Sequence, residues 1–388
     1  MPVAPAGMSL EGNVYANTTS AGINTRLMSL PEIIVDKIQK DGDLSFRDFM
    51  EIALYFPGYG YYTSDRQRIG KSGDFYTSPY LTSLFGEMIG AQLEEMWQIL
   101  GRKPFTIVEY GAGTGLLCRD ILTRLKQNGK LYDKLQYVII EKRESMHPPL
   151  PEKVCWADSI RDIPMVTGCI LSNELVDNFS VHQVIMEEEL MEVCVSFDNG
   201  FTETLRPAPE PLREYLRDLE VTLPRGYRAE INLEATAWIQ EVARALDHGF
   251  VMTIDYGYPS SALYSKSSGT LACYYQHQVH HCPYTFIGEQ DITSHVNFSA
   301  LDLWGRLAGL DYCGYTTQTH FLRGLGLGRY LRQWEDEAAQ SDPVAREQQI
   351  GSIRTLLLGM GEKFKVLIQR KGLDRVWLSG MQFPQPLI

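Results

Sequence analysis

The stretch Val108-Glu109-Tyr110-Gly111-Ala112-Gly113-Thr114-Gly115 decides the fold. It continues the apolar run FTIV (105–108) and leads into GLLCRDILTRLKQ (115–127), which has the apolar spacing of a helix. We therefore predict a buried strand over 105–111, a glycine-rich turn and a helix. Glycine lets a ligand approach the backbone closely, and the first N–H groups of a helix are free to bind it. The pattern predicts a ligand-binding turn at the end of a strand.

The spacing of the glycines favours one class of ligand. Gly111, Gly113 and Gly115 alternate, and this resembles motif one of methyltransferases that use S-adenosylmethionine (SAM). A dinucleotide fingerprint requires Gly-x-Gly-x-x-Gly, whereas residue 116 is Leu. A dinucleotide site and a purely structural turn remain alternatives on this turn alone.

Further strands and helices alternate on both sides of this turn. Apolar strands that alternate with helices indicate a parallel sheet covered on both faces, so we predict a doubly wound, Rossmann-like α/β fold. A final pair of segments, 310–319 and 363–371, is expected to pair as two edge strands. The other predicted strands are 135–142, 152–159, 168–174 and 249–257.

The stretch 179–248 interrupts this alternation. It begins with a hairpin pattern whose turn is Asp198-Asn199-Gly200, and two helical segments follow. We therefore predict an inserted α+β subdomain between the fourth and fifth strands. The remaining predicted parts are a flexible N-terminal tail (1–28), a helical cover segment (29–100), a SAM-binding domain made of 101–178 and 249–372, and a C-terminal tail (373–388).

Composition excludes some classes of protein. The 388 residues carry a net charge of −12, which argues against binding to nucleic acid because phosphate binding requires a basic surface. No apolar run approaches the ~20 residues needed to span a membrane. The seven cysteines form no Cys-x-x-Cys pair, which is typical of reduced thiols in a cytosolic protein. The first 28 residues contain one Arg and no Lys, so a bacterial cytoplasm is favoured over a mitochondrial matrix.

Polar residues follow several of the predicted strands, at the edge of the sheet where open α/β folds bind ligands. Glu141 ends the second strand and can accept both hydroxyls of a ribose, and Asp158 and Ser159 follow the third. Glu109 is expected to organise the glycine turn, and Ala112 lies within that turn. Solvated strand-end charges are the simpler alternative for Glu141.

Asn173, Glu174 and Asp177 follow the fourth strand. If the acceptor is a guanidinium, two positive groups must come together, and carboxylates are needed to bind and orient the acceptor. Glu174 and Asp177 suit this role. The alternative is that they stabilise the dipole of a helix N-terminus.

Several separated motifs together resemble the MidA-type methyltransferases, which include a mitochondrial complex I assembly factor that methylates protein arginine. The resemblance covers about 31–371. The motifs are ALYFPGYGYY (53–62), GDFYTSPYLTSLFGE (73–87), IVEYGAGTGLLCRDIL (107–122), YVIIEKRESM (137–146), SNELVDNFSV (172–181), TIDYG (253–257) and GEQDITSHVNF (288–298).

The resemblance implies SAM as cofactor, S-adenosylhomocysteine as product, and an arginine of a protein partner, such as a respiratory complex I subunit, as acceptor. It implies that Thr77 and Ser78 cover the cofactor. It also implies a catalytic role for His277 and substrate-side roles for Asp291 and His295. Asn178-Phe179-Ser180 departs from the family's usual Ala-Leu-Pro, and Thr114 stands where Arg is common, so the identity of the substrate stays open.

Alternatives to arginine methylation are a small-molecule methyltransferase and a non-catalytic, SAM-binding assembly factor. A homodimer that pairs through 179–248 is a further expectation. His277, His280, His281 and Cys282 cluster in the sequence, but their spacing is not a zinc pattern, so we predict no metal site.

Overall fold

The computed structural model describes residues 28–64, 78–141, 151–338 and 343–387. The predicted N-terminal tail and Thr77 therefore lie outside the described residues, apart from Met28. The strands are β1 (Leu44–Ser45), β2 (Phe105–Tyr110), β3 (Leu135–Ile140), β4 (Val154–Ala157), β5 (Val166–Asn173), β6 (His182–Met186), β7 (Leu190–Phe197), β8 (Phe201–Pro207), β9 (Arg228–Ile231), β10 (Leu246–Tyr258), β11 (Ala272–Tyr275), β12 (Gln278–His280), β13 (Asp291–Thr293), β14 (Val296–Asn297), β15 (Asp311–Thr317) and β16 (Phe364–Lys371).

Helices occupy much of the remaining chain. They are α1 (Leu30–Asp41), α2 (Phe46–Tyr55), α3 (Ser78–Leu81), α4 (Leu84–Ile99), α5 (Leu116–Leu125), α6 (Gly129–Tyr132), α7 (Glu210–Asp218), α8 (Leu233–Ala245), α9 (Ser260–Leu263), α10 (Phe298–Leu307), α11 (Gln318–Gly324), α12 (Leu327–Ala338) and α13 (Pro343–Arg354), with a π-helical turn at Thr355–Met360. Within the described residues, no helix is both long and apolar enough to cross a membrane.

The central sheet has the strand order β15-β16-β10-β5-β2-β3-β4. Strands β2, β3, β4, β5 and β10 are mutually parallel, and β16 runs antiparallel to both of its neighbours. The predicted parallel strands are therefore confirmed. The prediction of two edge strands at the C-terminal end was wrong for β16, which lies inside the sheet. Its continuous apolar run, Val366 to Ile368, is buried, as expected of a strand covered on both faces.

Alternating side chains of the central sheet face two separate hydrophobic layers. Ile107 and Ile139 pack into a layer with α4 and α5, while Val108, Val138 and Ile170 pack into a layer with α8 and α10. This two-sided burial confirms the doubly wound α/β fold.

A second, antiparallel sheet has the order β1-β7-β6-β9, with β8 paired to β7. The predicted turn at 198–200 joins β7 and β8. Strand β1 pairs with β7, and α2 packs in the same hydrophobic cluster as Val195 of β7. Part of the predicted cover segment thus shares a sheet with the predicted insertion, and the boundaries at 100, 178 and 248 remain our proposal.

The segment 373–387 packs against the protein. Leu378, Met381 and Leu387 are buried, and the Gln385 backbone N–H donates to the carbonyl of Tyr315 at 2.7 Å. The C-terminal segment therefore lies against β15 and does not extend away from the protein as a tail.

Gly168 allows β5 to lie against β2. Its φ is 151°, and a Cβ there would lie 2.8 Å from the backbone nitrogen of Thr106 and even closer to its carbonyl oxygen. We predict that Gly168→Ala lowers the free energy of unfolding by about 2–4 kcal/mol, because backbone in the centre of a sheet cannot move aside. Urea unfolding measures this.

Gly351→Ala is the control, because a Cβ at this exposed position on α13 meets no atom within 4 Å. It should leave stability unchanged or raise it by up to roughly 1 kcal/mol. Equal effects of the two substitutions would contradict the packing argument.

Candidate active site

A cavity of about 920 Å³ lies at the carboxyl ends of β2, β3, β5 and β10. This is the edge at which open α/β sheets bind ligands, and the volume is at the upper end of small-molecule sites. The α8 helix and the π-helical turn also line it. One end contains the glycine turn, and the other contains a group of buried carboxyls and tyrosines.

The glycine turn has the backbone conformation that the sequence predicts. The φ angles of Gly111, Gly113 and Gly115 are 67°, 54° and 72°, which L residues adopt only with strain. A Cβ on Gly111 would lie 2.9 Å from Cδ1 of Leu175. Because Gly111 has no side chain, the turn can lie against Leu175 in the cavity wall.

Two acids frame the glycine turn. The Gly113 backbone N–H donates to Oε2 of Glu141 at 3.1 Å, which holds the end of β3 against the turn. Glu109 is buried beneath it and accepts a hydrogen bond from the Tyr137 hydroxyl at 2.6 Å. Burial raises the pKa of Glu109 to about 7, the Tyr137 hydrogen bond opposes the shift, and the charge of Glu141 adds to it.

These residues fit a nucleoside with an amino-acid arm. The cavity has the volume, Gly111 and Gly113 leave the backbone accessible, and Glu141 and Asp158 supply acceptor oxygens along its wall. Ala112 and Ser159 also line this end, and the Ser159 hydroxyl accepts the N–H of Arg161 at 3.2 Å.

Glu174 sits at the turn that follows β5, with a φ of 54°, a strained value for a residue with a side chain. Its Oε1 accepts the Ser78 backbone N–H at 3.1 Å and the Asn173 side-chain amide at 3.2 Å. Burial raises the pKa of Glu174 to about 8, and the charge of Asp177 contributes to the shift. The carboxyl is thus held in the cavity wall at a cost to its ionised form.

Asp177 lies three residues further along the chain and is buried, whereas Glu174 is half-buried. Burial raises its pKa to about 7, and a hydrogen bond from Tyr256 opposes the shift. Among the atoms that the structure describes, its Oδ1 has no hydrogen-bond partner. A buried acceptor without a partner is rare in folded proteins, and it marks a position where a donor from a ligand would fit.

Asp255 lies behind these two residues on β10. Its Oδ2 accepts the backbone N–H groups of Leu175, Val176 and Asp177 at 3.2, 2.9 and 3.3 Å, and its Oδ1 accepts that of Tyr256 at 2.9 Å. Burial, and then the charges of Asp177 and Glu174, raise the pKa of Asp255, while the backbone donors oppose this shift.

The far wall of the cavity is aromatic. The Tyr62 hydroxyl donates to Asp291 at 2.9 Å, and the Tyr55 hydroxyl donates to the Asn178 carbonyl at 3.0 Å. His295 lies beside the rings of Tyr256 and Tyr258. Burial, and then nearby lysines, lower the pKa of His295 to about 4, so its imidazole is neutral near pH 7.

The structure brings most of the predicted residues to one cavity. Those that line it are Glu109, Gly111, Ala112, Gly113, Glu141, Asp158, Ser159, Asn173, Glu174, Asp177, Asp291 and His295. Gly115 begins α5 behind the turn, and Ser78 is buried behind Glu174.

His277 is the predicted site residue that lies elsewhere. It is exposed at the turn between β11 and β12, with a φ of 62°, and it does not line the cavity. This position gives no support to the catalytic role that the family resemblance implies for His277. In the described part of the chain, no three His, Cys, Asp or Glu side chains are grouped to hold a metal ion.

Sequence reasoning did not assign several residues of this site. Tyr256 and Asp255 lie in TIDYG, where an acid at the end of an apolar strand was the available signal. Tyr55 and Tyr62 lie in the motif ALYFPGYGYY (53–62), and an aromatic run of this kind packs against a sheet as readily as it lines a site. Trp238 and Glu241 of α8 also line the cavity, but an ordinary amphipathic helix gives no such signal.

Comparison with known proteins decides the family. The model of the methyltransferase 28 family, a family of S-adenosyl-L-methionine-dependent methyltransferases, matches residues 88–316. The chain belongs to this family. Its fold and its cofactor follow, and the predictions of a SAM-dependent methyltransferase are confirmed.

Individual relatives agree with this assignment. A crystal structure of a protein from Burkholderia thailandensis, bound to S-adenosyl-homocysteine, is 30% identical, with a TM-score of 0.80 and coverage of 92% of this chain and 95% of that one. The mouse protein named "Protein arginine methyltransferase NDUFAF7, mitochondrial" is 26% identical over 93% of this chain and 89% of its own length. A Drosophila melanogaster homolog of that protein is 27% identical over 76% of this chain and 74% of its own length.

Substituting the glycine turn should prevent cofactor binding. We predict that Gly113→Val abolishes S-adenosylhomocysteine binding in a calorimetric titration, because the side chain would be strained at a φ of 54° and would project at the cavity wall. Gly101→Val is the matched control, since Gly101 has a φ of 75°, is exposed and lies outside the cavity. It should lose similar stability but keep its affinity, and equal loss of affinity in both variants would refute this assignment.

The pKa of Glu174 makes a prediction about stability. The folded protein holds a proton on Glu174 up to about pH 8, whereas the ordinary value is 4.5, so ionisation costs stability as pH rises between them. We expect the melting temperature of Glu174→Gln, relative to the unmodified protein, to rise steadily from pH 5 to about pH 8.

Glu203→Gln is the control of opposite sign. A hydrogen bond from Arg228 lowers the pKa of Glu203 below its ordinary value, so its stabilising ionised form is already complete near pH 5. The difference in melting temperature for Glu203→Gln should therefore stay flat over the same range. A flat difference for Glu174→Gln would show that Glu174 is ionised throughout.

Proposed function

We propose that this protein transfers the methyl group of SAM to a guanidino nitrogen of an arginine in a protein partner. The observation that carries the proposal is the carboxyl pair of half-buried Glu174 and buried Asp177, which lie in the same cavity as the glycine turn. The names of the mouse and fly relatives support arginine as the acceptor.

The carboxyl pair suits a cationic acceptor. A guanidinium presents several N–H donors in a planar fork, and carboxylates bind such a fork through paired hydrogen bonds. Asp177 has a buried oxygen without a partner in the described structure, and this oxygen can accept one of those donors. Binding of a cation would also lower the raised pKa values of Glu174 and Asp177, because an opposite charge favours the ionised form.

When bound, SAM supplies an electrophilic methyl group on its sulfonium. The residues of this chain would provide alignment and charge: Gly111, Gly113, Glu141 and Asp158 hold the nucleoside end, while Glu174 and Asp177 hold the acceptor. The acceptor nitrogen gains the methyl group and loses one proton. A carboxylate of the pair can take that proton, because both carboxylates are ionised and in reach of the acceptor when the cation is bound.

The aromatic wall would complete the acceptor site. Tyr62 and Asp291 form a hydrogen-bonded pair beside the carboxyls, and aromatic faces attract cations. The neutral imidazole of His295 adds no positive charge that would repel a guanidinium. The wall therefore excludes water while leaving the local charge negative.

The proposal also includes the identity of the acceptor protein, the location in the cell and the pairing of two copies of this chain. The family resemblance in the sequence supports a respiratory complex I subunit as the acceptor protein. The 30% identity to a protein from Burkholderia thailandensis supports a bacterial source, and a bacterial cytoplasm as the location is part of the proposal. Pairing through 179–248 would leave the cavity unobstructed, since its lining comes mainly from other segments.

The first test identifies the acceptor. Purified protein is incubated with a cell lysate and SAM carrying a tritiated methyl group, and labelled proteins are hydrolysed to amino acids. The proposal predicts label in methylarginine. Label in methyllysine, or only in the small-molecule fraction, would contradict it.

Removing either carboxyl should stop transfer without stopping cofactor binding. We predict that Glu174→Gln and Asp177→Asn each lower the transfer rate roughly hundredfold or more, because an acceptor cation loses a charged partner in the cavity wall. Affinity for S-adenosylhomocysteine should change little. Asp302→Asn, a buried carboxyl outside the cavity, is the control and should transfer normally.

The rate should also depend on pH. Transfer by the unmodified protein should rise between about pH 6 and pH 8.5, because the carboxyls with pKa values of about 7 and 8 must ionise to bind the cation. Glu174→Gln should shift the residual rise toward the lower value. A rate that falls as pH rises through this range would count against the carboxylate assignment.

A further inference from the structure

Asp255 has a buried carboxylate that lines no part of the cavity, yet it contacts the turn that carries Glu174 and Asp177. It lies on β10, the strand next to β5 in the central sheet. Both of its oxygens accept hydrogen bonds, and all four donors are backbone N–H groups. A carboxylate with this many backbone partners fixes the course of the main chain around it.

The turn needs such support. Glu174 has left-handed backbone geometry, and the three N–H groups that follow it point away from any ladder of the sheet toward Asp255. A buried N–H without an acceptor costs about 1–3 kcal/mol, so three of them would not stay in this arrangement without the carboxylate. The carboxyl of Asp255 thus replaces the strand partners that β5 loses where it ends.

The same turn is joined to β10 and to the residue that follows β13. The Glu174 N–H donates to the carbonyl of Ile254 at 2.9 Å, and the Asp177 carbonyl accepts the N–H of Ser294 at 3.0 Å. Between these two points, Leu175 lies directly beneath Gly111 of the glycine turn. The position of this segment therefore sets where the acceptor carboxyls lie relative to the cofactor loop.

We propose that Asp255 is a positioning residue for methyl transfer, acting through the 174–177 turn by holding its three consecutive N–H groups. This rests on the proposed function, since Glu174 and Asp177 are the groups that it positions. It makes no contact with the acceptor itself, and its removal changes the rate only through those two carboxyls.

Amide hydrogen exchange tests the structural half of this proposal without any acceptor. In Asp255→Ala, the amides of Leu175, Val176 and Asp177 should exchange at least tenfold faster, while those of Ile170 and Leu171 on β5 stay protected. Asp255→Asn keeps one acceptor oxygen and should show a smaller change, which covers the case in which the alanine variant does not fold. Unchanged exchange in both variants would overturn the proposal.

A double-mutant cycle tests the functional half, with rates expressed per S-adenosylhomocysteine-binding site so that unfolded protein is not counted. Asp255→Asn alone should slow tritiated-methyl transfer at least thirtyfold. Added to the pair Glu174→Gln and Asp177→Asn, it should slow the residual transfer less than threefold, because nothing remains to be positioned. If Asp255→Asn slows transfer by the same factor in the unmodified protein and in the Glu174→Gln, Asp177→Asn variant, Asp255 has a general structural role. That result would overturn the proposal.

The two measurements separate this inference from the proposed function. If the unmodified protein labels no arginine, the proposed function is contradicted, whereas the exchange comparison still decides whether Asp255 holds the turn. Asp302→Asn serves as the control in both experiments, because this buried carboxyl pairs with Arg306 and lies outside the cavity.

Discussion

The site depends on one constraint, which is the close placement of three carboxyls, two of them buried and one half-buried, at the ends of two adjacent parallel strands. Glu174 and Asp177 follow β5, and Asp255 ends the apolar part of β10. No cation among the described residues forms an ion pair with any of them. The charge of Asp177 adds to the cost of ionising Glu174, and the charges of both add to the cost of ionising Asp255. Four backbone N–H groups offset part of that cost at Asp255, and the Ser78 backbone N–H offsets part of it at Glu174.

Such a site is less stable than the fold around it. The hydrophobic layers on both faces of the central sheet fix the strands, and the strand ends then hold the acids close together whatever their mutual repulsion. Stability that is given up at an active site is commonly recovered when a ligand of opposite charge binds. A cationic acceptor would supply that charge, which explains why a strained turn and raised pKa values occur together here.

The sequence predicts the fold well and the site in part. Apolar strands such as 105–111 and the glycine turn that follows are local patterns, so strand, turn and helix could all be placed without a structure. The interior position of β16 could not be predicted, because a C-terminal strand that returns antiparallel can join a sheet either at its edge or within it, and only packing decides. The position of His277 could not be predicted either. A motif match gives its place in the chain, but it carries no information about whether the hairpin of β11 and β12 faces the cavity or the solvent.

For Asp255, the sequence predicts the position of the acid but not its role. Its position in TIDYG marks it as an acid at a strand end, the same signal that identified Glu141 and Glu174. Its partners, however, are backbone N–H groups about eighty residues earlier in the chain. Hydrogen bonds to main chain leave no residue pattern, so only the structure separates an acid that supports a turn from one that faces a ligand.

The protonation state of Glu174 tests this account most directly. Carboxyl ¹³C NMR of selectively labelled protein, with Glu174→Gln to assign the signal, gives its pKa in the complex with S-adenosylhomocysteine. The account predicts a value near 8 without acceptor and a lower one when N-methylguanidinium is added. A value near 4.5 that the cation does not move would show that Glu174 is an ordinary solvated acid and would contradict the account.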